Sequence, residues 1–299
     1  MTENPDVGGR PVITVIEPEE FAPLGRLGQW LLAEGARLEV VRLWRGEAVP
    51  SFDEVGDGLV VLGGAMSAHD DADHPWLADL RALLRRVVDE RVPAVAICLG
   101  AQVAAEALGG ATAVPSPHGG ESGIVSLCLT EAAREDPVFS EIVDEAVRAA
   151  VRAGIPTHGG TRLPVIVSHD DGVVRLPQGA TLLASSEGAP VQAWCAGGLT
   201  ALQHHPESNP ERIEYWMARS HARRLGVVAG EEEAGAMSAQ SLPAEAAEAG
   251  RAARVEAEKV DPVIRAFGRA LARVLARAAS AHRAGTGSGG AASGRRPRG

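Results

Sequence analysis

The chain has 299 residues, of which 45% are hydrophobic and 23% charged, and a formal net charge of -10. That length suffices for one large domain or two modest ones. A surface this acidic repels phosphate backbones and argues against a nucleic-acid partner, and no apolar run approaches the ~20 residues that a membrane helix needs.

Residues 1–10 are polar and lack the apolar centre of a secretory signal, so they read as a flexible start to a cytoplasmic chain. Residues 11–16 are a β-branched run that fits a buried strand. Leu24, Leu27, Leu31 and Leu32 have helical spacing, and Gly35 stands where a cap is expected. Segments 38–43 and 59–62 read as strands, the latter ending at Gly63-Gly64. Residues 76–90 read as a helix, 94–97 as a fourth strand and 101–108 as a helix that stops at Gly109-Gly110. Repeated β-α-β order predicts a parallel sheet covered on both faces.

The second half is richer in strands: 124–129, 165–168, 181–185, 191–195 and 199–203, each bounded by turn residues. Helices are expected over 141–153 and over 210–225, the second starting at Asn209-Pro210, with an exposed loop over 154–162. The domain therefore spans 11–225. Residues 226–258, rich in Ala and Glu, read as a linker or a solvated helix. Val260, Val263, Ile264, Phe267, Leu271, Val274 and Leu275 then form one apolar stripe on a helix over 259–283. Such a stripe docks on its own domain or on a second subunit, which allows a homodimer through this helix. Residues 284–299 read as a disordered tail.

Three cysteines without a CxxC pair make neither a disulfide framework nor a zinc motif, and they suit a reducing compartment. Cys128 and Cys195 lie inside strand patterns and read as structural. Cys98 differs. In Ala94-Val95-Ala96-Ile97-Cys98-Leu99-Gly100-Ala101-Gln102 an apolar strand runs straight into a helix with Cys98 at the corner. Such a corner lifts one side chain above the sheet edge and needs a small neighbour, here Gly100. The helix N-terminus favours thiolate over thiol and leaves N–H groups free for a developing oxyanion. On these residues alone, a buried structural thiol is the equal alternative.

A cysteine nucleophile needs a base. Of nine histidines, His205 follows a strand in Gln203-His204-His205-Pro206-Glu207. His205 and Glu207 are two apart, so in extended backbone they share a side, where the carboxylate can orient the imidazole. His204 points the other way and reads as a packing or surface residue. Asp70-Asp71-Ala72-Asp73-His74 matches neither an EF-hand nor a zinc spacing, and reads as a solvated loop. No nucleotide-binding fingerprint is present, and no metal or cofactor is expected.

Leu62-Gly63-Gly64-Ala65-Met66-Ser67, the Cys98 turn and the His205-Pro206-Glu207 segment, in this order, resemble the class I glutamine amidotransferases. The resemblance covers about residues 11 to 220. It is nearer to stand-alone members related to the glutaminase domain of GMP synthetase. It implies a three-layer, flavodoxin-like α/β fold with a mostly parallel central sheet, followed here by a C-terminal helical extension. It also implies a Cys98–His205–Glu207 triad and an oxyanion hole from the N–H groups of Gly64 and Leu99. Gln102 would then contact substrate, as would His169 and Asp171 from Ser168-His169-Asp170-Asp171, where Asp170 replaces the family's usual Gly. Ala65 likewise stands where many members have Pro. The implied activity is release of ammonia from glutamine for a separate acceptor synthetase. The alternatives are hydrolysis of another γ-glutamyl peptide or amine by the same triad, and a catalytically silent binding or scaffold subunit.

Overall fold

The computed structural model describes residues 9–227 and 237–289; the remainder of the expected N-terminus, linker and tail lies outside the described residues. The elements are β1 (Val12–Glu17), α1 (Gly25–Ala33), β2 (Arg37–Arg42), β3 (Gly58–Val61), α2 (Trp76–Asp89), β4 (Ala94–Ile97), α3 (Leu99–Ala107), β5 (Ala111–Ala113) and β6 (Glu121–Leu129). They continue as α4 (Ala132–Glu135), α5 (Phe139–Ala153), β7 (Arg162–His169), β8 (Gly172–Arg175), β9 (Thr181–Ser185), β10 (Ala193–Ala196), β11 (Leu199–Leu202), α6 (Pro210–Arg224) and α7 (Ala244–Gly289).

Nine strands form one sheet in the order β2-β1-β3-β4-β11-β10-β9-β6-β7. The strands from β2 to β11 pair in parallel, and the rest continue antiparallel, so that only β10 and β6 oppose the common direction. The fold class read from the sequence is the one found, with the strand-rich second half completing the parallel half. The short β5–β8 pair lay outside that reading, because strands of three and four residues carry too little alternation to register.

The period-2 pattern of the strands decides the layers. Ile13, Val15, Val60, Leu62, Val95 and Ile97 face Leu27 and Leu31 of α1, Phe139 and Ile142 of α5, and Val263, Phe267 and Leu271 of α7. Ile16, Leu59, Val61, Ala94 and Ala96 face the opposite way, against Leu77, Leu80 and Leu84 of α2 and Val103 of α3. The loop over 154–162 and the start of α6 follow their local chemistry. Asn209 caps α6 by accepting from the Arg212 N–H at 2.8 Å, with Pro210 in the first turn.

Helix α7 is longer than the apolar stripe suggested. It begins at Ala244 and continues through residue 289, into the segment expected to be disordered. Ala246 and Ala257 are fully buried, so the Ala-rich stretch over 244–258 packs against the domain and is not a free linker. Small side chains there let α6 and α7 approach closely. Val263, Ile264, Phe267, Leu271, Val274 and Leu275 are all buried within the same chain, so these residues of the stripe dock on the chain's own domain. Among the described residues no helix is long and apolar enough to cross a membrane.

Candidate active site

The corner after β4 is built as its sequence suggests. Cys98 has φ 52° and ψ -111°, a backbone conformation that side-chain-bearing residues rarely hold. It is held there by its N–H donating to the Leu202 carbonyl at 2.7 Å and by its own carbonyl accepting from the Gln102 N–H at 3.1 Å. Gly100 is required by contact: a Cβ there would lie 2.5 Å from the Val61 carbonyl oxygen. Only glycine lets the first turn of α3 rest on β3.

The β4–β11 register sets Leu202 beside Ile97, so the residues following each strand meet at one sheet edge. His205 is anchored by its N–H donating to the Ile166 carbonyl at 2.8 Å. Its ring Nδ1–H donates to Glu207 Oε1 at 2.7 Å, and both side chains are almost fully buried. That bond fixes the tautomer and leaves the other ring nitrogen for the Cys98 sulfur, with which the imidazole interacts. Burial alone would disfavour a charged ring, but the Glu207 carboxylate and the Cys98 sulfur outweigh it, and His205 titrates well above its ordinary value. The ring is held on both sides. Trp216 of α6 lies 4.5 Å away, centroid to centroid, and a Cβ on Gly63 would come within 3.3 Å of His205 Cε1.

His204 faces away from the site, as alternation predicts. It packs edge-on against Phe267 of α7 at 5.2 Å, and burial, together with the neighbouring His205, pushes it down to about 3. Cys195 is pushed up to about 11, first by burial and then by Asp136, to which its thiol donates at 3.6 Å. In the acidic loop before α2, Asp70 accepts from the Ser67 N–H and Asp71 pairs with Arg81.

Cys98 and His205 open onto a cleft of about 730 Å³, counting its solvent-facing mouth. One wall carries Gly64 and Ala65, beside Glu19 and Phe21. Another carries Ser168, His169 and Asp170. Helix α6 supplies Tyr215, Trp216, Arg219 and Arg223. Gly64 lies on the cleft, and the Leu99 side chain packs directly beside it. The N–H of Ala65, which a proline would lack, is taken by Glu19 Oε2 at 2.5 Å.

The other expected substrate contacts are distributed differently. His169 lines the cleft, its Nδ1–H donating to the Asp171 carbonyl at 2.8 Å, with Glu121 Oε2 3.5 Å from Nε2. Asp170, the departure from the family pattern, also lines the cleft and pairs with Arg223 at 2.6 Å. Gln102 is not among the lining side chains. It lies behind the nucleophile, 3% exposed, bonded to the Asp171 carbonyl and to Gln203 Oε1, each at 3.2 Å. Asp171 meets the site through this carbonyl. Gln203, which sequence reasoning passed over, donates from Nε2 to Cys98 Sγ at 3.5 Å. The signal was available: Gln203 precedes His205 by two residues, and the same alternation that selects Glu207 selects it. Trp216 and Arg223 gave no local signal, because only the docking of α6 brings them to the cleft.

The profile described as "Glutamine amidotransferase class-I" matches residues 27–221. The chain is 32% identical over 200 residues to the glutamine amidotransferase-like protein YfeJ of Salmonella typhimurium, covering 66% of this chain and 75% of that one. It is 28% identical over 181 residues to gamma-glutamyl peptidase 5 of Arabidopsis thaliana, covering 60% of this chain and 64% of the peptidase. Among solved structures, a glutamine amidotransferase from Methylobacillus flagellatus superposes with a TM-score of 0.64 at 25% identity, over 90% of this chain and 95% of that one. The chain thus belongs to the class I glutamine amidotransferases, a family of amide-hydrolysing enzymes.

Proposed function

We propose that this protein hydrolyses the side-chain amide of glutamine through a thioester on Cys98 and passes the ammonia to a separate acceptor enzyme. The observation that carries the reading is the convergence, at the floor of one cleft, of a strained corner cysteine with a buried His205–Glu207 pair. Cys98 sulfur attacks the amide carbon, and the N–H groups of Gly64 and Leu99 hold the oxyanion. His205, kept protonated by Glu207, gives its proton to departing ammonia. It then takes one from water as the thioester is cleaved to glutamate. The reaction balances with water alone. The free thiols Cys98, Cys128 and Cys195 fit a cytoplasmic setting. The test is ammonia and glutamate release from glutamine by wild type and Cys98→Ala, each alone and with the synthetase that co-purifies. Release by wild type only supports the reading; equal release by both overturns it.

One feature supports a second substrate. The α6 wall of the cleft adds Tyr215, Trp216, Arg219 and Arg223, beyond what ammonia as a leaving group needs. The same machinery would then cleave a γ-glutamyl peptide or amine, in keeping with the likeness to gamma-glutamyl peptidase 5. A panel of γ-glutamyl compounds ranked by kcat/KM decides between the two.

A further inference from the structure

The amides behind Cys98 form a relay whose polarity is fixed at one end. The Asp171 main-chain carbonyl can only accept. It takes the His169 Nδ1–H at 2.8 Å and a Gln102 Nε2–H at 3.2 Å. This decides which end of the Gln102 amide faces Asp171. The second hydrogen on the same nitrogen goes to Gln203 Oε1 at 3.2 Å. With its oxygen so engaged, Gln203 turns its own nitrogen toward Cys98 Sγ, 3.5 Å away. Reversing either amide would set like atoms face to face. Gln102 and Gln203 are 3% and 2% exposed, so water does not compete for these bonds.

We propose that Gln203 is a catalytic hydrogen-bond donor to the Cys98 sulfur, and that Gln102, through its Nε2–H groups, is a positioning residue that holds Gln203 in this orientation. The inference rests on Cys98 being the nucleophile. An N–H aimed at sulfur is worth more to the anion than to the thiol, because charge strengthens the bond. In the resting site it adds to the imidazolium of His205, so two donors converge on one sulfur. In the second half-reaction the sulfur leaves carbon as thiolate, and the Gln203 N–H meets the returning charge. No proton is transferred along the relay. The other ionisable groups around the sulfur are His205, from the loop after β11, and Glu19, His169, Asp170, Tyr215, Arg219 and Arg223, which line the same cleft.

The experiment is alkylation of Cys98 by iodoacetamide across pH without substrate, resolved from Cys128 and Cys195 by peptide mapping, together with kcat and KM. Gln203→Leu should move the Cys98 alkylation midpoint to higher pH and lower kcat roughly tenfold or more, the loss expected for one hydrogen bond to a charged group. Gln102→Met should move the alkylation midpoint in the same direction by less. Gln203→Met, close to glutamine in volume, removes the donor without adding a charge, and it should move the midpoint up even if the Leu variant fails to fold. If Gln102→Met leaves the alkylation curve in place, Gln102 does not position Gln203 and the relay is wrong. An unchanged alkylation curve in Gln203→Met overturns the donor assignment. Because alkylation needs no substrate, a chain that shows these shifts and hydrolyses no glutamine refutes the functional reading alone.

Discussion

Replacing Glu207 by glutamine keeps the shape of the side chain and removes the charge that His205 relies on. The carboxylate accepts from His205 Nδ1 at 2.7 Å, and the pair is almost fully buried, so the bond is charge-assisted and unscreened. Hydrogen bonds to charged groups are worth about 1.5–3 kcal/mol, and each ~1.4 kcal/mol in the barrier is tenfold in rate. The substituted amide can still orient the ring but cannot balance an imidazolium, so kcat should fall roughly 10- to 150-fold with KM little changed. The pH dependence gives a second readout. His205 titrates above its ordinary value, so its protonated form persists until pH rises through that raised value. Removing the Glu207 charge lowers it, and the alkaline limb of the kcat/KM profile should move to lower pH. Steady-state kinetics of ammonia release across pH measures both quantities. A Glu207→Gln enzyme within twofold of wild type, with its alkaline limb unmoved, would refute the assignment.

Gly268→Ala should destabilise the docking of α7: a Cβ there would run into the Trp30 ring and lie 2.7 Å from the Pro206 carbonyl oxygen, an overpacking worth about 1–3 kcal/mol in a urea midpoint. Because Pro206 joins His205 to Glu207, kcat should fall as well. Glu121 predicts acid sensitivity. Burial alone would raise it, but His169, Ser186, the Gly188 N–H and Gln192 outweigh that and hold it down to about 2 from its ordinary 4.5. Its contribution is therefore complete above about 4.5 and lost as pH falls toward about 2. Glu121→Gln should flatten unfolding free energy against pH in that window; a slope equal to that of wild type would contradict the network.

Much of this was legible in the sequence because local and global signals agree. The β4–α3 corner is written in an apolar run, a cysteine and a glycine, and Gly100 is explained by its contact with Val61. Alternation along 203–207 separates His205 and Glu207 from His204, and the structure keeps that division, pairing His205 with Glu207 and packing His204 on Phe267. What was not legible depends on distant docking. The Ala-rich start of α7 looks solvated until α6 is laid against it, and the arginines and aromatics of α6 reach the cleft only through that packing. Gln102 has partners that the motif alone does not reveal. Its position one turn from Cys98 suggests a substrate contact, and its Nε2 bonds to the Asp171 carbonyl and Gln203 depend on segments far away in sequence.

The central claim is that amide cleavage passes through an acyl group on Cys98. Acid quenching during turnover of glutamine or a γ-glutamyl peptide, followed by peptide mapping by mass spectrometry, tests it directly. A γ-glutamyl adduct confined to the Cys98 peptide, absent in Cys98→Ala and more abundant in Glu207→Gln, is the expected result if that change slows deacylation most. An adduct on another residue, or full turnover by Cys98→Ala with no adduct, would contradict the account.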